Sequence, residues 1–291
     1  MAELKNPEYS NTRAVFIEAL KDLTVPNRGV TLDDWPQFNQ ITGGLRPKEF
    51  TILCGATGTG KTTLLANMSA QLLKQGVRHF VMSVENGRID FMQKILSLLS
   101  GEDLTVLDSI SRDKAMEIAT QVIPSISPEI VQFSHYEDRI SLEQLEHDLE
   151  FMVTKRGCQV AFIDNLNFFL EVTRSNDTLI EMDRVIHSLI MFCKKHPVHL
   201  VMVMHPRKTE NTRVISEFDI KGSSTSVQEA QNVFLFNRPT AEEVGENGTR
   251  HRTDRDLTFQ KMRRRGFNTG RTLCFKLNRL RYVEDGSTQF C

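Results

Sequence analysis

The sequence predicts an α/β fold: a mostly parallel central sheet flanked by helices, closed by a C-terminal antiparallel hairpin and preceded by an amphipathic helix. Three observations carry that prediction. From residue 50 onward, short apolar runs alternate with stretches of helical period, the pattern of βαβ units. The runs, such as FTILC (50–54) and CQVAFI (158–163), are continuously apolar, as strands buried on both faces must be. The first run leads straight into a glycine-rich loop, GATGTGKTT (55–63), and then a helix.

Each element follows in order. NTRAVFIEALKDL (11–23) spaces Val15, Phe16, Ala19, Leu20 and Leu23 at helical intervals and gives a short amphipathic helix. Residues 24–49 hold three prolines and three glycines and read as an irregular linker. A helix set off in this way needs a partner for its apolar face, from its own domain or a neighbouring subunit. Residues 1–30 are therefore expected to form an arm and 31–291 the main domain. Beyond it, FTILC is a strand, 60–76 a helix ended by Gly76, and HFVMSV (79–84) a strand. Helices are expected over 89–101 and 111–123, and a strand at EIVQF (129–133). Ser141, with Gln144 three residues on, forms a capping box for a helix that Gly157 closes. CQVAFI is a strand, 178–196 a helix and 198–204 a strand. QNVFLFN (231–237), LTFQKMR (257–263) and RTLCFKLN (271–278) read as further strands, the last two as a hairpin.

Composition sets limits. With 40% hydrophobic and 25% charged residues over 291 positions, the chain is globular. Its net charge of −1 carries no global basic bias, yet residues 250–281 hold eleven basic residues against Asp254 and Asp256, so a basic face is expected. Cys54, Cys158, Cys193, Cys274 and Cys291 lack metal-ligand spacing and read as buried free thiols in a reducing compartment. No apolar run approaches the length of a membrane span, and MAELKNPEYS has no signal-peptide core. A soluble intracellular protein is expected.

The chemistry sits at the ends of strands. Gly55, Ala56, Thr57, Gly58, Thr59, Gly60, Lys61, Thr62 and Thr63 fit G-x-x-x-x-G-K-[ST] between a strand and a helix. Such glycines let backbone N–H groups turn toward phosphate oxygens, the lysine reaches the β- and γ-phosphates, and the Thr62 hydroxyl is placed to hold Mg²⁺. Glu85 ends the second strand and Asp164 the fourth. In an open α/β sheet, ligands lie beyond the carboxyl ends of the strands. There Asp164 suits a magnesium shell and Glu85 suits a base for an attacking water. HLVMVM runs into His205, Pro206, Arg207 and Lys208, so an imidazole is placed to sense a γ-phosphate and two cations to grip a phosphodiester backbone.

TGGLRPKEFTILCGATGTGKTT, MSVENG, FIDNLNFFL, VMHPRK and GSSTSVQEAQNVFLFNR come in the order and approximate spacing of the ring-shaped replicative helicases with RecA-like P-loop NTPase motors. The chain thus resembles the DnaB-type family over residues 30–283, with FIDNLNFFL and HPRK most similar to its mitochondrial (Twinkle) and phage branch. The resemblance implies a homo-hexameric DNA helicase with ATP, or another NTP, and Mg²⁺ bound between subunits. It makes Lys61 and Thr62 the triphosphate and Mg²⁺ ligands, Glu85 the base, Asp164 the second magnesium residue and His205 the γ-phosphate sensor. KMRRRGFNTG (261–270) resembles the segment that reaches into the next subunit's site, with Arg263 as arginine finger and Lys261 as its companion. Three consecutive arginines leave Arg264 as an alternative finger. Arg238 is a candidate for the adenine.

Two loops are expected to face a central channel for single-stranded DNA: 171–178, and 207–224 with Arg207, Lys208, Arg213, Lys221, Gly222 and Ser223. Without interleaved aromatics, they are expected to read the backbone, with affinity that falls with salt. The resemblance also suggests a primase, fused or separate, as partner. The helix at 11–23 matches the family's docking linker. The alternatives are a RecA- or RadA-like recombinase, which builds filaments and exchanges strands, and a regulatory RecA-fold ATPase without DNA-stimulated hydrolysis.

Overall fold

The computed structural model describes residues 11–24, 29–85, 87–106, 110–127, 129–134, 140–165, 177–206, 215–220, 224–240, 244 and 250–290. Among them, nine strands form one sheet in the order β3-β2-β4-β5-β1-β6-β7-β8-β9. The strands are β1 (Glu49–Cys54), β2 (His79–Ser83), β3 (Val131–Phe133), β4 (Val160–Asp164), β5 (His199–Met204), β6 (Asn232–Asn237), β7 (Arg255–Met262), β8 (Arg271–Asn278) and β9 (Arg281–Phe290). The first six run parallel, and β7, β8 and β9 continue antiparallel from β6. Every residue of β1, β2, β4, β5 and β6 is buried, as the continuous apolar runs require.

Helices cover both faces. On one, α6 (Leu142–Thr154) and α7 (Asp177–Lys195) bury Leu145, Leu149, Ile186 and Leu189 against Ile52, Ile163 and Met202. On the other, α3 (Lys61–Lys74) and α4 (Gly87–Ser100) bury Leu64, Leu65, Phe91 and Ile95 against Leu53, Phe162 and Val203. Ser141 caps α6 by accepting from the Gln144 N–H at 3.2 Å. The Gln144 side chain, however, bonds Asp148 at 2.9 Å, so the expected box is only half made. α5 (Arg112–Val122) packs against α4.

The structure differs from expectation at both ends. Residues 32–45 are not an irregular linker. Pro36 opens and Gly43 closes a helix, α2 (Pro36–Thr42), and Leu32, Trp35 and Phe38 are completely buried. The proline and glycine that read as breakers are helix ends, Pro at the first turn and Gly in the left-handed cap. At the other end the hairpin is a three-stranded meander, because RYVEDGSTQF adds β9. Ser224–Glu229 forms a further short helix, α8.

The first helix, α1 (Thr12–Thr24), forms as read and exposes Val15, Phe16, Ile17 and Leu20. The basic run of 250–281 does not make one face. Arg250 pairs with Asp256 at 2.7 Å, Arg255 is buried, and Arg279 and Arg281 donate to the Gly101 and Leu98 carbonyls at the end of α4. Cys54, Cys158, Cys193 and Cys274 are free and buried; Cys291 lies outside the described residues. Among the described residues, no helix is long and apolar enough to cross a membrane.

Candidate functional site

The carboxyl ends of β1, β2, β4 and β5 lie side by side and bring together five side chains from four sequence-distant segments. β1 delivers the loop 55–60, and Gly60, at φ +95°, caps α3 so that Lys61 begins the helix. The Lys61 ammonium donates to the Gly55 and Ala56 carbonyls at 2.8 and 2.9 Å and lies 3.5 Å from His205 Nδ1. Thr62 Oγ1 donates to Asp164 Oδ2 at 2.6 Å. His205 Nε2 lies 3.5 Å from Glu85 Oε2. Lys61, Thr62, Asp164, His205 and Glu85 thus gather across the ends of four strands.

Burial grades across that group. Asp164 and Lys61 are 2% and 6% exposed, whereas the Glu85 side chain is 42% exposed. Burial lowers the Lys61 pKa, opposed by the charges of Asp164, Cys54 and Glu85. Burial also pushes the Asp164 carboxyl up to about 6; the Thr62 hydrogen bond and the Lys61 charge oppose that rise, and Glu85 reinforces it. Charges brought into so poorly hydrated a site are felt strongly. The donors Thr62 and Asp164 are a hydroxyl and a carboxylate 2.6 Å apart. This all-oxygen pair fits Mg²⁺, which takes one or two carboxylates and fills its shell with phosphate oxygens and water.

Asn165 had no role in the sequence reading. It is 3% exposed, its amide donates to Glu85 Oε2, and it lies 3.1 Å from His205 Nε2. It therefore links the ends of three strands. The available signal was its place directly after Asp164 at a strand end.

The remaining candidates divide. Arg238 follows β6 and donates to the Gly58 carbonyl at 2.7 Å, which puts its guanidinium on the phosphate loop. Thr59 donates to the Ala56 carbonyl at 2.9 Å, and Thr57 and Gly58 are exposed at the loop's tip. Lys261 and Arg263 lie at the opposite rim. Met262 pairs with Asn232, the first residue of β6. Lys261 donates to the Val227 and Gln228 carbonyls and Arg263 to that of Gln228, at the end of α8. Arg264 pairs with Glu49, the first residue of β1, at 3.5 Å. None of these cations is near its own chain's Lys61. Arg207, Lys208, Arg213, Lys221, Gly222 and Ser223 lie outside the described residues, as does 171–176.

A strand, a glycine-rich loop and a helix, with acids on neighbouring strand ends, define a P-loop nucleotide-binding domain of RecA-like architecture. Residues 31–284 match the DnaB-like helicase C-terminal domain, and the chain belongs to that family. It is 23% identical over 232 residues to the DNA helicase/primase of Enterobacteria phage T3, an alignment that covers 72% of this chain. The chain spans only 39% of that phage protein. Among solved structures, its fold is similar to an isolated ATPase domain, with a TM-score of 0.77 at 12% identity over 95% of this chain and 99% of that one. It is also similar to a DnaB-like replicative helicase described with its interactions with primase, with a TM-score of 0.74 at 14% identity over 96% of this chain and 67% of that one.

Proposed function

We propose that the chain is the NTP-driven motor of a replicative DNA helicase, which hydrolyses ATP between subunits of a hexameric ring and translocates on single-stranded DNA to unwind duplex. The observation that carries this reading is the convergence of Lys61, Thr62, Asp164, Glu85 and His205 at one rim of a sheet, within a chain of the DnaB-like family. In this reading the backbone N–H groups of 55–63 bind the phosphates, and Lys61 turns from the Gly55 and Ala56 carbonyls to the β- and γ-phosphates. Thr62 and Asp164 would hold Mg²⁺, which would supply neutralisation of the phosphate charge. Glu85, the most open group, takes the proton of the attacking water. Asn165 keeps the Glu85 carboxylate aimed, and His205 contacts the γ-phosphate.

Arg263 acts in the neighbouring subunit's site, because it lies at the rim away from its own phosphate loop. An arginine finger supplied in trans is worth about 10³–10⁵ in rate. The segments 171–178 and 207–224 line the channel, with Arg207, Lys208, Arg213, Lys221, Gly222 and Ser223 on the DNA backbone. Residues 1–30 form the docking arm and 31–291 the motor. A primase, fused or separate, is the expected partner, since the phage relative is a helicase/primase. The protein works in a soluble intracellular compartment.

The test is a forked-duplex unwinding assay with ATP hydrolysis and native mass measured in parallel. Hydrolysis stimulated by single-stranded DNA, together with unwinding by a hexamer, is expected. Strand exchange without unwinding would favour a recombinase, and DNA-independent hydrolysis a regulatory ATPase.

A further inference from the structure

Against the phosphate loop lies a buried cation that the proposed mechanism does not use. Arg255, the first residue of β7, is 7% exposed. Its Nε donates to the Thr59 carbonyl at 2.5 Å and its Nη1 to the Asp254 and Arg252 carbonyls at 2.6 and 2.9 Å. The Tyr282 hydroxyl, from β9, hydrogen-bonds the same guanidinium. Tyr282 is itself fixed. It is 2% exposed, its ring packs edge-on against Phe236 at 5.6 Å, its N–H donates to Asn67 of α3 at 3.0 Å, and its carbonyl accepts from Trp35 Nε1 at 2.8 Å. The hydroxyl lies so close to Gly60 that a Cβ there would collide with it. Burial pushes the phenol up to about 12, so it stays a neutral hydroxyl at working pH.

We propose that Arg255 and Tyr282 are positioning residues for nucleotide: they hold the Thr59–Gly60 peptide so that its N–H faces the phosphates. The proposal rests on the reading of 55–63 as a triphosphate loop. In a trans peptide the C=O and the following N–H point in opposite directions. A guanidinium that draws the Thr59 carbonyl outward therefore turns the Gly60 N–H inward. Arg238 likewise holds the Gly58 carbonyl at 2.7 Å, in a peptide whose N–H, that of Thr59, is taken by the Ala56 carbonyl at 3.3 Å. Two guanidinia thus grip successive carbonyls from outside, and the antiparallel strands supply a rigid back to a loop that glycines leave free to rotate. Without that back, the loop must be ordered at the moment of binding, which lowers affinity.

The experiment is calorimetric titration of the full chain with MgADP and MgATP, alongside thermal melting, for wild type, Lys61→Ala, Arg255→Met, Arg255→Lys and Tyr282→Phe. Arg255→Met is expected to weaken both nucleotides about tenfold, or about 1.4 kcal/mol, in protein that melts cooperatively. Arg255→Lys should recover part of the loss, and Tyr282→Phe should lose roughly threefold. Wild-type affinity in folded Arg255→Met overturns the proposal. If that variant does not fold, Tyr282→Phe decides: weakened binding supports the brace and wild-type binding overturns it. Wild-type protein that binds neither nucleotide, or binds them no better than Lys61→Ala, sinks the triphosphate reading itself. Tight binding by wild type with unchanged binding in the Arg255 and Tyr282 variants sinks only the brace.

Discussion

The parallel strands carry polar clusters at both ends, and the two clusters are built on opposite plans. At the amino rim, Glu49 and Thr51 of β1, His79 of β2, His199 of β5 and Asn232 of β6 are nearly or wholly buried. Each is answered within the chain. Asn232 donates to Glu49 at 3.0 Å and to Thr51 at 3.1 Å, Thr51 donates to His199 Nε2 at 3.0 Å, and His199 Nδ1 donates to the Arg46 carbonyl at 2.7 Å. At the carboxyl rim the contacts run from buried Asp164 out to Glu85 in solvent. Buried polarity is therefore common to both rims and marks function at neither. What separates them is that the carboxyl rim gathers two acids, an ammonium and an imidazole beside the glycine-rich loop, whereas the amino rim holds one carboxylate, Glu49, answered by Asn232, Arg46 and Arg264.

The comparison is tested most sharply by Lys61→Ala. Hydrolysis is expected to fall by more than about 10³-fold, because the phosphates lose the buried ammonium that reaches them. Melting should fall only modestly, since the lost ammonium is one that burial already disfavours, which offsets the Gly55 carbonyl left without that donor. A large drop in melting temperature with residual hydrolysis would place Lys61 with the structural residues of the amino rim. Arg263→Ala comes next, with a loss of about 10³-fold measured as phosphate release. Its position predicts complementation. Mixed rings of Lys61→Ala and Arg263→Ala chains should regain activity that neither possesses alone, because one boundary then pairs an intact loop with an intact arginine. Inactive mixtures that still assemble would return the finger to Arg264, or to no residue of this segment.

How much of this was legible follows from distance along the chain. Lys61 and Thr62 stand in one contiguous motif, and Glu85, Asp164 and His205 were readable because apolar period fixes where a strand ends. Asn165 was not, since its value lies in reaching Glu85 across 80 residues. β9 escaped because RYVEDGSTQF is largely polar and pairs along one edge only. The helix at 36–42 escaped because Pro and Gly signal loops and helix ends alike; Glu284 of β9 completes its start by accepting from the Gln37 and Phe38 N–H groups at 2.9 and 2.8 Å. The three consecutive arginines were indistinguishable by sequence, and within one chain each already grips a local partner.

Acid should destabilise the fold through the amino rim, whereas at the carboxyl rim it protonates Asp164 from about pH 6. His79 Nδ1 donates to the Val77 carbonyl at 2.8 Å, so its Nε2 accepts from Ser69 at 2.7 Å. Burial, outweighing that carbonyl, lowers its pKa from 6.5 to about 4. The fold holds this ring neutral, so the stabilisation is complete above pH 6.5 and is lost as pH falls toward 4. Between about pH 7 and pH 5 the loss is about 2 kcal/mol. Denaturant unfolding across that range should show it, and His79→Gln should remove most of the slope. A slope unchanged in the variant would assign the acid sensitivity elsewhere, His199 being the next candidate because burial lowers its pKa as well.

The smallest effect separates the rims most cleanly. Thr51 is 0% exposed and its hydroxyl both accepts from Asn232 and donates to His199. Thr51→Val keeps the shape and the β propensity but removes the acceptor for Asn232 and the donor for His199. Asn232 keeps its bond to Glu49 at 3.0 Å, so His199 Nε2 is the group left without its donor, at a cost of about 1–3 kcal/mol, or a few degrees of melting temperature in a domain of this size. Nucleotide affinity and turnover per folded molecule should be unchanged, because Thr51 bonds only to groups of its own rim and meets the phosphate loop through the apolar packing of β1 alone. An altered affinity at unaltered stability would mean that the amino rim communicates with the carboxyl rim through β1, and the two clusters would then have to be treated as one.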